Sequence, residues 1–202
     1  MQKPPKTPRP QKPPITPYPQ GVPIDSTISM KTERLIGRAI AAWSKLEACL
    51  DDFIWVLLNV PIEQGRLITV RMDAVRKIQT LRRLGELVLS QQKYFQLSPI
   101  LDRIDILRED RNLIVHGTWG RHGVDKLNVV ISLKPEAPKP DQVISETFPD
   151  TRLQKLIDDI ETEKWLLIPS MEEQRALLDK QIPQHPEVPP SHQPDHPEDG
   201  KE

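Results

Sequence analysis

The chain has 202 residues, a formal net charge of -1 and 22 prolines, most of them before Asp25 or after Ile182. The near-neutral balance excludes a global basic field of the kind that announces a nucleic-acid-coating protein. A single cysteine, Cys49, excludes an internal disulfide and a cysteine-based zinc cluster.

Residues 1–28 read as a proline-rich disordered arm. The run PPKTPRPQKPP favours extended polyproline II, which builds no core, and its P-x-x-P spacings suit docking to an aromatic-lined protein partner. The arm is basic at its start, with Lys3, Lys6, Arg9 and Lys12 and no acid in the first twenty residues. It lacks the apolar segment of a secretory signal. No apolar run anywhere reaches the ~18 residues of a membrane span. The expectation is a soluble, cytoplasmic protein without a membrane partner.

Residues 29–181 carry the fold. Ser29 is positioned to cap a first helix over about 30–59. Leu35, Ile36, Ala39, Trp43, Leu46, Leu50, Phe53, Ile54 and Leu57 recur there at spacings of three and four, and Pro61 stops it. Glu63 to Val70 reads as a short helix. Asp73 can cap another over about 74–90, with Val75, Ile78, Leu81, Leu84, Leu87 and Val88 as its stripe. Ser98 and Pro99 predict the start of the next helix, which runs to about Val115 with Gly117 and Gly120 beyond its end.

The pattern then changes. Lys126–Leu133 and Val143–Phe148 are rich in β-branched residues and predict two short strands, with Trp119–Arg121 as a third, so a hairpin occupies about 119–148. Thr151 and Gln154 stand at capping-box spacing for a final helix. That helix presents Leu153, Leu156, Ile157, Ile160, Trp165 and Leu167 to a bundle. Pro169 predicts a break or kink, with Ser170 and Glu173 positioned to cap a last segment to about Gln181. Residues 182–202 read as a disordered tail rich in proline, histidine and acid. His185, His192 and His196 lie in it without an ordered frame for a metal ion, and none is assigned. The fold class expected is mainly α: a bundle of four to five helices, with a small β-hairpin inserted before the last long helix and disordered tails at both ends.

The residues that carry chemistry cluster near the end of the helix that follows Pro99. At about 100° per residue, Ile100, Leu101, Ile104, Leu107, Ile114 and Val115 share one arc, and Arg111 falls near its middle. A guanidinium directed into an apolar interface requires an acceptor. Asp105, Glu109, Asn112 and His116 form a polar strip beside that arc, and Arg111 and His116 diverge by about 140° on an ideal helix. Two readings follow. In one, Glu47, at the margin of the first helix's stripe, forms a bidentate ion pair with Arg111, and His116 only caps the helix end. The chain is then a non-catalytic helical interaction module. In the other, the imidazole transfers protons and the guanidinium stabilises a phosphate in RNA cleavage, a chemistry that calls for no metal or cofactor. One imidazole per chain is few for paired acid and base roles, and a symmetric homodimer supplies two.

Arg111-Asn112-Leu113-Ile114-Val115-His116 resembles the motif of the HEPN superfamily: Arg, four to six residues, then His, often with a polar residue after the Arg. The resemblance spans about residues 30–181. It implies a dimeric helical bundle and a metal-independent endoribonuclease with Arg111 and His116 catalytic and Asn112 auxiliary. Asp105, Glu109 and Glu47 stand as supporting residues. Such proteins often serve in toxin–antitoxin, antiphage or RNA-processing systems. Elsewhere, Arg71, Arg76, Lys77, Arg82 and Arg83 make one helix basic, which suits contact with an RNA backbone but reads first as a solvated bundle face. Trp43, Trp55, Trp119 and Trp165 read as packing anchors, and Cys49 as a small core residue.

Overall fold

The computed structural model describes residues 24–25, 27–122, 127–132 and 144–181. The proline-rich stretch before Ile24, the C-terminal tail with its three histidines, and the connection between the predicted hairpin strands lie outside these residues.

Helix α1 (Met30–Leu58) starts where Ser29 Oγ accepts the Thr32 amide at 3.1 Å. It stops at Asn59, which turns left-handed (φ 53°) before Pro61, a conformation asparagine tolerates better than most residues. Helix α2 (Ile62–Thr69) folds back across the end of α1. Gly65 lies flat on the Trp55 indole, where an added β-carbon would overlap the ring, and Trp55 Nε1 donates to Thr69 Oγ1 at 3.2 Å. Helix α3 (Ala74–Val88) begins with Asp73 accepting the Arg76 amide at 2.8 Å.

Helix α4 (Gln91–His116) begins eight residues before the predicted start, capped by Ser90, and runs through Pro99. Helix α5 (Asp150–Gln181) likewise runs through Pro169 without a break. Both prolines break the expectation for one reason. A proline cannot donate to the carbonyl four residues before it. Pro99 and Phe95 are both exposed, as are Pro169 and Trp165, so water can take each orphaned acceptor. Packing holds the flanks: Leu97 and Leu167 are buried, and Tyr94 packs on Gly85 while donating to Glu86 at 2.9 Å. Neither predicted cap within α5 is used. Glu173 pairs with Lys93 at 2.9 Å, while Gln154 accepts from Arg38 at 3.3 Å and donates to Asp158 at 2.8 Å.

Ion pairs and side-chain hydrogen bonds mark the helix directions. Arg152–Asp110, Arg103–Glu163 and Lys93–Glu173 make α4 and α5 antiparallel. Thr32–Asp150 and Arg38–Gln154 make α1 and α5 parallel. Arg82–Asp102 and Tyr94–Glu86 join α3 and α4 as an antiparallel hairpin. The N-termini of α1 and α5 therefore share one end of the bundle with the C-terminus of α4. The core runs along α1, where Trp43, Leu46, Leu50, Phe53 and Ile54 are buried with Leu81, Leu101, Ile104, Leu153 and Ile160. Four residues predicted to face inward do not: Leu87, Val88, Val115 and Trp165 are exposed.

The same end carries a four-stranded antiparallel sheet in the order β1 (Ile24–Asp25), β2 (Thr118–His122), β3 (Asn128–Ser132) and β4 (Ile144–Thr147). Strands β3 and β4 are the expected hairpin pair, β2 joins as predicted, and Trp119 faces Val130 in the ladder. Strand β1 lies within the segment assigned to the arm, with Ile24 opposite His122 and Asp25 opposite Arg121. Two residues between proline and serine carry no periodicity that could announce it. Gly117 is extended (φ −82°), so its role is not conformational. A β-carbon there would overlap Val130 and the Leu113 carbonyl, so glycine lets α4 turn directly into the sheet.

A buried polar knot ties this end together. Asn128 Nδ2 donates to Thr32 Oγ1 at 3.1 Å and to Asp150 Oδ1 at 3.0 Å, and Thr32 Oγ1 donates to Asp150 Oδ1 at 2.9 Å. One side chain each from α1, β3 and α5 thus satisfies the others, as burial demands.

Candidate functional site

The last turn and a half of α4 holds the Arg-x4-His constellation. Ile114 is buried and anchors the helix to the core, while Arg111 and Asn112 are half-buried and His116 is exposed. Trp119 Nε1 donates to the Ile114 carbonyl at 3.0 Å, and the Gly117 amide donates to the Leu113 carbonyl at 2.9 Å. The Trp119 ring is set edge-on to buried Phe148, with centroids 5.8 Å apart. These donors close the helix end that would otherwise leave carbonyls open. His116 is not needed as a cap. Among the described residues its imidazole has no hydrogen bond or ion pair.

Arg111 is not held as predicted. Glu47 is turned elsewhere: Oε2 accepts from Trp43 Nε1 at 3.0 Å, and Oε1 lies 3.5 Å from Lys77 Nζ. Lys77, read from the sequence as part of a solvated face, is only 7 % exposed and also binds Asp51 at 2.9 Å. A buried ammonium on the neighbouring helix claims the carboxylate first. The Arg111 guanidinium lies instead 5.8 Å from the centre of the Trp43 ring, and Nη1 donates to Asn112 Oδ1 at 3.1 Å. Its Nε is enclosed without an acceptor. A cation on an indole face gains roughly 0.5–2 kcal/mol, less than a buried bidentate carboxylate would give. The head group keeps unused donors.

The remaining strip residues have defined surroundings. Asp105 accepts from Arg108 Nε at 2.8 Å, and Glu109 is half-buried between Asp105 and Asn112 on the helix surface. On the other side of α4, Asp110 binds Arg152 Nη2 at 2.8 Å. Arg152 also reaches Glu146 at 3.1 Å, and its guanidinium carbon lies 4.0 Å from the Phe148 ring centre. This clasp of α4, α5 and β4 fixes the helix that presents the strip, and it went unread because its members are distant in sequence. Trp43 is buried, as its place in the α1 stripe predicts, and its second role as a platform for Arg111 has no separate signal in the sequence.

The structure thus brings together Arg111 and Asn112, and links Glu47 to the site only through the opposite edge of Trp43. Arg111 and His116 form no hydrogen bond with each other, as expected from their divergence on the helix. Cys49 makes a poor nucleophile: burial pushes its thiol pKa up, and the nearby Asp52 carboxylate adds to this. Comparison with protein-family models, with curated proteins and with solved structures gives no match. Among the described residues no helix is long and apolar enough to cross a membrane.

Proposed function

We propose that the chain is a HEPN-like, metal-independent endoribonuclease that works as a homodimer. The observation that carries this reading is the state of Arg111. Its guanidinium is held by an indole face and an amide oxygen, not neutralised by Glu47, and the exposed imidazole of His116 follows just over one turn later on the same helix end. The interaction-module reading rested on an Arg111–Glu47 pair, and Glu47 is committed to Trp43 and Lys77.

The chemistry follows from the groups. The imidazole takes the proton from a ribose 2′-hydroxyl, and the 2′-oxygen forms a bond to phosphorus. The bond to the 5′-oxygen breaks, and that oxygen accepts a proton from a second imidazole. Imidazole suits both roles because it changes charge near neutral pH. Arg111 donates to the non-bridging oxygens as charge builds on them. His116 of a second copy supplies the other imidazole when two strips face each other across a two-fold axis. Asn112 positions Arg111. Asp105 and Glu109 border the strip and set its polarity.

The test is cleavage of RNA by the purified full chain in the presence of EDTA. His116→Ala is expected to keep its circular dichroism spectrum and thermal midpoint, because the imidazole has no partner within the described residues, and to lose at least 100-fold in rate, about the low end for general acid–base catalysis. Undiminished cleavage by this variant removes the role assigned to His116.

A further inference from the structure

Helix α3 sorts its cations into two kinds. Lys77 and Arg82 are spent on Glu47, Asp51 and Asp102. Arg76 and Arg83 are exposed and make no ion pair among the described residues, and neither does Arg71 in the turn before the helix. Seven residues along an α-helix return to within about 20° of the same direction and advance about 10.5 Å. Arg76 and Arg83 therefore stand on one face, with Gln79 and Thr80 between them. That face, together with Ile68, Arg71 and Met72 from the end of α2 and the turn after it, lines an open cleft of about 400 Å³.

We infer that this cleft is a second, separate binding site that takes the backbone phosphates of single-stranded RNA. Three guanidiniums with free donors are a demand for anions, since each offers a planar fork that matches phosphate oxygens. Lys77 is buried and paired, whereas Arg71, Arg76 and Arg83 are exposed and line one cleft together, so their charges add at a single place. The cleft is also mixed in character. Gln79 and Thr80 supply neutral donors and acceptors suited to a 2′-hydroxyl or a base edge. Met72 supplies an apolar floor and the arginine planes supply stacking surfaces. An acidic peptide would use the arginines and leave the rest idle. The site goes beyond the cleavage strip: it lies on α2 and α3 and holds substrate without touching the reacting phosphate.

The experiment is fluorescence anisotropy with a labelled oligouridylate, using the full chain carrying His116→Ala so that the probe stays intact, from about 50 to about 200 mM NaCl. Three phosphate contacts on a single strand contribute about 2 to the slope of log affinity against log salt. Arg71→Gln, Arg76→Gln and Arg83→Gln combined are expected to lower that slope by about 2 and to weaken binding by more than tenfold at the lower salt. A control removes the same charge from α1 with Arg34→Gln, Arg38→Gln and Lys45→Gln, and it is expected to change the slope by less than half as much. Equal losses in the two triple variants, or no binding by the His116→Ala parent, overturn the inference. So does a poly-glutamate peptide that binds as tightly as the RNA and loses affinity in the cleft variant, since the ligand would then be an acidic protein segment. Cleavage is read separately with His116 intact. Cleavage without cleft-dependent binding leaves the nuclease reading standing, and cleft-dependent binding without cleavage leaves only the binding site.

Discussion

Arg111 shows how a cation is kept in an apolar interface without a carboxylate. Trp43 offers its ring face to Arg111 and its indole N–H to Glu47, so one buried side chain separates two charges that sequence position suggested would meet. The competing residue, Lys77, was the unreadable part, because burial of a lysine depends on which helix lies beside it. The consequence is that Glu47→Gln would disturb Lys77 and not Arg111. A second residue-scale balance is at Asp52. Burial, followed by repulsion from Asp51, raises its pKa above the ordinary 3.8, although Arg175 and Arg66 act in the opposite sense. A carboxyl whose folded pKa is raised binds more protons folded than unfolded, so its ionisation weakens the fold as pH rises. Asp52→Asn is therefore expected to raise the thermal midpoint at neutral pH. The gain should shrink as pH falls through the folded pKa and vanish below 3.8, and paired melts across that window check it. At Asn128 the sign is opposite. Asn128→Ala strips donors from buried Thr32 and half-buried Asp150 and should cost about 1–3 kcal/mol in denaturant unfolding.

At the scale of elements, α2 is held to α1 by the contact of Gly65 with Trp55. Helix propensity alone would make Gly65→Ala stabilising by up to about 1 kcal/mol. The overlap of a methyl group with the half-buried Trp55 ring works against it by about 1–3 kcal/mol. The clash should win, so chemical denaturation is expected to show a net loss of stability. Helices α1 and α3 are legible in the sequence to within two residues because cap and apolar stripe agree there, and α2 is legible only as a short helical run between Pro61 and Asp73. Helices α4 and α5 depart from expectation at Pro99 and Pro169, where the rule against interior proline is weakened because the residue four back, Phe95 or Trp165, is exposed. That exposure is a tertiary fact. Strand β1 was invisible for a related reason: two residues have no period, and only the ladder with β2 makes them a strand.

On the scale of the whole molecule, parallel α1 and α5, antiparallel α4 and the sheet place the Arg-x4-His turn at one end of the bundle. Strand β1 lies at that same end, since it pairs with the strand that follows His116. The helical bundle with strands before its last helix was legible from periodicity. The position of the motif at a bundle end was legible from the glycines after it. The way the ends meet was not, because the Thr32–Asn128–Asp150 knot and the Asp110–Arg152 clasp join residues far apart in sequence. The central claim is that this end cuts RNA by 2′-hydroxyl attack, and the most direct measurement is the chemistry of the product ends. RNA incubated with the full chain in EDTA is predicted to yield fragments ending in a 2′,3′-cyclic phosphate with 5′-hydroxyl partners, and none with His116→Ala. Fragments bearing 5′-phosphates, or intact RNA with the unaltered chain, would contradict the account.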